Sequence, residues 1–167
     1  MARPGRLLRN LFAGWFQLGR RFPPGTLDEI ARAIAAGERT HLGEVRLAVE
    51  SRLAPAAVLA GTSARQRAEQ VFAQLRVWDT EHNTGVLLYV LMAEHRIEIV
   101  ADRGIARKVG QAAWDEIAAR MGGAFAQDRW REGCLEGIGA VHALLARHFP
   151  AEGRDNPDEL PDRPVLL

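Results

Sequence analysis

Apolar positions along the chain change their spacing several times, and each change marks an element. Thr26-Leu27-Asp28-Glu29 has the form of a capping box, and apolar residues continue at helical spacing through Ile30, Ala31 and Ile34, predicting a helix to about Arg39. "GEVRLAVES" then alternates, placing Val45, Leu47 and Val49 on one face of a strand and Arg46 on the other. Ser63 and Gln66 repeat the capping signal ahead of a stripe formed by Ala68, Val71, Phe72 and Leu75.

The next signal is the sharpest. A polar turn, Glu81 to Gly85, opens into the unbroken apolar run Val86 to Val90, the pattern of a strand covered on both faces. After Glu94-His95, "RIEIVAD" alternates again and reads as an antiparallel partner. Helical spacing returns over 106–121 and 128–148, the latter stretch opening on Asp128 as an expected cap. The final residues, "AEGRDNPDELPDRPVLL", are acidic and proline-rich and read as a surface or loose tail.

This order predicts an α/β protein, three-layer α/β/α, with a small mixed sheet flanked by helices and an N-terminal basic amphipathic arm. The expected divisions are an arm and Pro-Gly link over 1–25, an α/β domain over 26–150 and a tail over 151–167. A right-handed crossover makes strands 43–51 and 86–93 parallel, and the hairpin returns strand 96–101 to their starting edge. Glu38, Glu44, Asn83 and Asp102 are therefore expected to meet at one end of the sheet.

Those four offer hard oxygen donors, as calcium or magnesium requires. The alternative is that Asn83 caps the turn, Asp102 caps a helix and the glutamates are solvated. His41, His82 and Asp79 flank the same edge as accessory candidates for acid–base work or phosphate contact. Other chemistry has less to stand on. Ser51 and Ser63 are the only serines, neither lies in a nucleophile elbow, and Ser63 is better explained as a cap. Cys134 falls on an apolar helical stripe and reads as a buried, inert thiol. His142 and His148 are out of register for two ligands on one helix face and read as surface or partly packed side chains.

The net charge of +1 gives no footprint for nucleic acid, but its distribution matters. Residues 1–27 carry five arginines and no acid, so the remainder must be net −4. Within the arm, Leu8, Leu11, Phe12 and Trp15 cluster on one side of a helix, with Arg6 and Arg9 around them. Such a segment either lies on an anionic membrane or packs against the domain or another subunit. With a lone cysteine and no stretch long enough to span a bilayer, the expected location is cytoplasmic, with a peripheral position at the inner membrane as an option.

Four segments together resemble the TPM domain family: "ERTHLGEVRLAVES", "NTGVLLYVLMAEHRIEIVADRGI", "AAWDEIAARMGGAFAQDRWREGCLEGI" and "DELPDRPV". The resemblance spans about residues 27–165. It implies a compact α/β/α domain, divalent-cation binding (calcium in some members), and a phosphatase activity assigned to a plant representative. Three features depart from the family pattern: "HNTGVL" replaces "NNGVL", Asp102-Arg103-Gly104 replaces a Gly-x-Gly, and neither the signal peptide nor the membrane anchor of many relatives is visible. The expected function is a cation-binding and protein-interaction module. The alternative is a metal-dependent phosphatase acting on phosphomonoesters.

Overall fold

The computed structural model describes residues 4–12, 15–154 and 156–167, with side chains left out at 4, 11, 12 and 15. Its centre is a four-stranded sheet of order β3-β2-β1-β4, formed by β1 (Glu44–Glu50), β2 (Gly85–Leu91), β3 (Arg96–Ala101) and β4 (Val165–Leu166). As predicted, β1 and β2 are parallel, with Glu44 opposite Gly85, while β2 and β3 are antiparallel, with Val86 opposite Ala101. The starts of β1 and β2 and the end of β3 do share one edge.

Alternation along β1 and β2 divides the core in two. Val45, Leu47, Val49, Val86, Leu88 and Val90 face α3 (Pro24–Glu38), α7 (Gln111–Phe125) and α8 (Trp130–His148). Ala48, Leu87, Tyr89 and Leu91 face α4 (Pro55–Leu59) and α5 (Ala64–Gln74). The three layers follow directly from this two-residue period.

Several boundaries differ from the sequence pattern. Helix α3 begins at Pro24, with Pro23 as N-cap and no side-chain cap, so the Thr26–Glu29 capping box does not form. Proline's fixed φ and missing N–H suit the first helical position, which moves the start upstream. By contrast, Ser63 and Gln66 make both halves of their expected box at α5. Predicted helix 106–121 is two elements, α6 (Arg103–Ala106) and α7, divided at Gly110. Asp128 lies one residue outside the Arg129 N-cap of α8, at φ 59°, and its carboxylate accepts from the Trp130 indole at 2.7 Å instead of capping.

The tail and arm differ most. Val165 and Leu166 pair in parallel with Ala48 and Val49, and Leu160 is buried, so the tail completes the sheet. That covers Arg46, on the strand face opposite Val45 and Leu47 as expected and only 6% accessible, beneath the Arg163 carbonyl. In the arm, α1 (Pro4–Phe12) and α2 (Trp15–Arg21) lead to Phe22. Leu18 and Phe22 are fully buried in the main core, so the Pro23-Pro24 break redirects the chain without detaching the arm.

Candidate metal centre and its surroundings

Glu38 ends α3, Glu44 begins β1, and the short Arg39–Gly43 connection keeps the two carboxylates together. The tail brings Asp158 to them. One ligand atom from each of Glu38, Glu44 and Asp158 lies within 4.8 Å of the others, with both glutamates buried and Asp158 exposed. A cavity of about 190 Å³ opens here, lined also by Asn156 and Asp162.

Hydrogen bonds orient the carboxylates. Glu38 Oε1 accepts from the Val45 amide at 2.7 Å, and Glu44 Oε2 accepts from the Leu160 amide at 3.1 Å. Asn156 Nδ2 donates to Glu44 Oε1 at 3.1 Å, tying the tail to the strand. Burial, and secondarily the neighbouring Glu44 carboxylate, holds Glu38 well above the usual carboxylate range. Burial likewise pushes Glu44 up to about 7. One buried Asp162 oxygen has no hydrogen-bond partner. Close carboxylates with oxygens to spare are the donor set a hard divalent cation takes, although Arg39 lines the same cavity and the Arg46 charge acts on Glu38 and Asp162. The cluster can hold such an ion; its chemistry suits calcium and magnesium alike.

Of the four predicted ligands, Glu38 and Glu44 come together, while Asp102 and Asn83 stand elsewhere. Asp102 reaches the shared edge and its amide bonds to Gly85 O at 2.9 Å, but it lies across β2 from Glu44, about 10 Å at ordinary strand spacing. It caps α6, Oδ1 accepting from the Arg103 amide at 2.6 Å, while Oδ2 is buried without a partner. Asn83 is exposed at φ 54°, and its carbonyl accepts from the Gly104 amide at 3.0 Å. A side chain on Gly104 would meet Asn83 O at 2.5 Å, which explains a glycine in "DRG".

Asp79 is exposed and pairs with Arg76 at 3.7 Å, and His82 is exposed. His41 turns into the core, with its Nε2 2.7 Å from His142 Nδ1. His142, expected at the surface or partly packed, is buried because α8 packs it against this segment. Cys134 is buried as expected, and burial pushes its thiol up to about 12. The tail residues Asp158, Asn156 and Asp162 were the sequence's missed contribution. Their signal was the density of acids before the final strand.

The arm's side chains have mixed fates. Arg6 pairs with Glu94 at 2.8 Å and donates to Thr62 O at 2.5 Å, so it faces protein rather than solvent. Asn10 joins it on Glu94 at 3.0 Å and accepts from the Leu53 amide at 2.7 Å. Leu8, Arg9 and Phe16 remain exposed, Phe16 at 82%. The side chains of Leu11, Phe12 and Trp15 lie outside the described residues. Among the described residues no helix is long and apolar enough to cross a membrane.

This fold and its acidic edge define an α/β/α domain of a known kind. The TPM domain model matches residues 20–144, and the chain belongs to that family. It is similar to the solution structure of BA42 from the psychrophilic bacterium Bizionia argentinensis, at 28% identity and TM-score 0.75, covering 86% of this chain and 93% of that one. The N-terminal domain of a P. gingivalis protein shares the fold, at 18% identity and TM-score 0.61, covering 87% of this chain and 90% of that one. Comparison with curated proteins gives no match.

Proposed function

We propose that this TPM domain is a binding module that holds Ca2+ or Mg2+ between Glu38, Glu44 and Asp158 and docks on a protein partner. The observation that carries the reading is the convergence of the three carboxylates from α3, β1 and the tail. Because Asp158 belongs to the tail, a cation there would fasten the tail to the sheet edge and couple binding to the shape of that surface. Exposed Leu8, Arg9 and Phe16 supply the contact face, which suits a partner or an anionic membrane surface at the cytoplasmic side.

The test is an amide NMR titration of the full chain with calcium chloride and with magnesium chloride. The expected result is shifts centred on Glu38, Glu44 and Asn156 to Asp158, and a melting temperature that rises with cation concentration by mass action. Glu44→Gln should remove both effects. No shift and no stabilisation at millimolar cation would overturn the reading.

Metal-dependent hydrolysis of phosphomonoesters is the second reading. It is favoured by the exposure of Asp158, which leaves one side of the cluster open to an incoming substrate. Turnover of a generic phosphomonoester that needs added cation and disappears in Glu44→Gln would support it; absence of turnover with cation bound leaves the binding module.

A further inference from the structure

A second cavity, beside Leu42, is lined by basic and imidazole side chains in place of the carboxylate cluster. Leu42 N donates to Phe149 O at 2.9 Å and Ala151 N to Thr40 O at 3.3 Å, drawing the end of α8 against the start of β1. Thr84 closes the floor, its hydroxyl donating to Leu42 O at 2.8 Å. These contacts frame a cavity of about 380 Å³.

Four nitrogen-bearing side chains line it: His82, Lys108, His148 and Arg154. They come from three segments: the turn before β2, the link between α6 and α7, and the end of α8 with the loop that follows it. Lys108 is the chain's only lysine, and among the described residues no carboxylate pairs with it; its Nζ lies 4.6 Å over the Phe149 ring. Glu152 is the one acid among the described residues of the lining, and it is drawn toward Arg154 at 3.7 Å. Leu42, Phe149 and Pro150 add an apolar wall. Small-molecule sites have this size and this mixture of apolar wall and a few converging polar groups.

We infer that this cavity binds a small organic anion, its oxyanion head held by Lys108 and Arg154 with the two imidazoles as further donors, and its apolar body against Phe149 and Pro150. Lysine supplies a point charge and arginine a planar fork, a pairing that suits phosphate and carboxylate heads alike. The site is independent of the carboxylate cluster, because none of its lining residues belongs to that cluster. The competing explanation is that Lys108 and His148 merely offset the negative C-terminal end of α8.

The test uses the full chain with EDTA present, at low and constant ionic strength. Inorganic phosphate, phenyl phosphate and benzoate are titrated separately and followed by amide NMR. Shifts should centre on Thr84, Lys108, Phe149 and Arg154, with phenyl phosphate or benzoate binding more tightly than inorganic phosphate because each adds the apolar body. The stronger of those two identifies the head. Lys108→Gln and Arg154→Gln should each weaken binding about tenfold or more, the loss expected for one charged hydrogen bond. Neither should change the melting temperature, since both side chains are exposed.

Three outcomes overturn the proposal: no shifts at ten-millimolar concentrations, shifts reproduced by chloride at equal ionic strength, or binding that requires an added cation. The first two leave dipole compensation as the cluster's role. The third moves the anion to the carboxylate site.

Discussion

His41 Nε2 lies 2.7 Å from His142 Nδ1, and the same His41 ring accepts the Gly43 amide at Nδ1, 3.0 Å away. Together these contacts assign the protons. An acceptor at Nδ1 leaves His41 with its hydrogen on Nε2, which donates to His142 Nδ1; His142 then carries its own hydrogen on Nε2, buried without a partner. Neither ring can take a second proton without breaking this chain.

A pH dependence follows. Burial holds both imidazoles down at about 4, and the facing His142 ring further disfavours the His41 cation. The folded state therefore binds fewer of these protons than the unfolded chain. Their stabilising contribution is full above the ordinary histidine value of 6.5 and is lost as pH falls toward 4. Glu38 and Glu44, held above the usual carboxylate range, act in the opposite sense over the same window, so the histidine contribution is read from the change in slope that a variant makes in thermal melts. His142→Asn, which keeps an acceptor for His41, should reduce the slope by about one proton, ~1.4 kcal/mol per pH unit. A variant whose pH slope matches that of the wild type between 6.5 and 4 would contradict the assignment.

Asp102 and Glu44 share a sheet edge but predict different phenotypes. Asp102→Ala removes the α6 cap and should cost about 1 kcal/mol while leaving cation affinity unchanged. Glu44→Gln should abolish cation stabilisation. If Asp102→Ala abolishes it instead, the ion sits at the end of β3, beside the unpartnered Asp102 Oδ2.

That contrast shows how far the sequence could be read. The apolar run after Gly85 and the alternation in "RIEIVAD" were enough to place β2 and β3, and strand parity put Glu44 and Asp102 at one edge. An edge spans several strands, however, and pattern alone does not say which acids lie within coordinating distance. Asp158 was hidden for a different reason. Its segment has too few apolar residues to read as an element, and Val165 and Leu166 become a strand only because β1 has a free side to pair with. The His41–His142 contact joins residues 101 apart in sequence, beyond any local periodicity.

Close packing explains why the turn before β2 ends on Gly85. A β-carbon there would sit 1.9 Å from the Val77 carbonyl oxygen, so even alanine must displace the backbone of the loop after α5. Gly85→Ala should lower stability by roughly 2–4 kcal/mol, at the upper end of ordinary substitutions. Chemical denaturation measures this directly; a loss under 0.5 kcal/mol would show that the loop yields without cost.

Across the sheet, Glu50 joins Tyr89 and Arg67 in a largely buried network. The Tyr89 hydroxyl donates to Glu50 Oε2 at 2.6 Å, and Arg67 places Nε and Nη2 on the two carboxylate oxygens at 2.8 and 3.1 Å. Removing the shared acceptor strands a cation and a hydroxyl together. Glu50→Ala should cost about 3 kcal/mol, whereas Tyr89→Phe, which deletes a single donor, should cost about 1 kcal/mol. Equal losses would mean that the ion pair adds nothing beyond the tyrosine hydrogen bond.

The arm yields the prediction that best separates packing from surface contact. Leu18 and Phe22 are fully buried, Asn10 receives the Leu53 amide, and Arg21 lies 4.7 Å over the Trp130 ring while pairing with Asp128 at 3.2 Å. Truncating one such large apolar side chain costs about 2–5 kcal/mol. Deleting residues 1–22 removes two, so the melting temperature should fall by roughly 10 °C or more, at about 2–4 °C per kcal/mol for a domain of this size. Phe16 and Leu8 behave differently because they are exposed. Changing both to serine should leave stability within about 0.5 kcal/mol and weaken association with vesicles containing anionic lipid. Sedimentation with such vesicles, at low and high salt, separates the arginine contribution from the apolar one, since only the former is screened. Unchanged vesicle association in the double variant would remove lipid from the roles of this face, and an unchanged melting temperature after the deletion would contradict the packing of α2 itself.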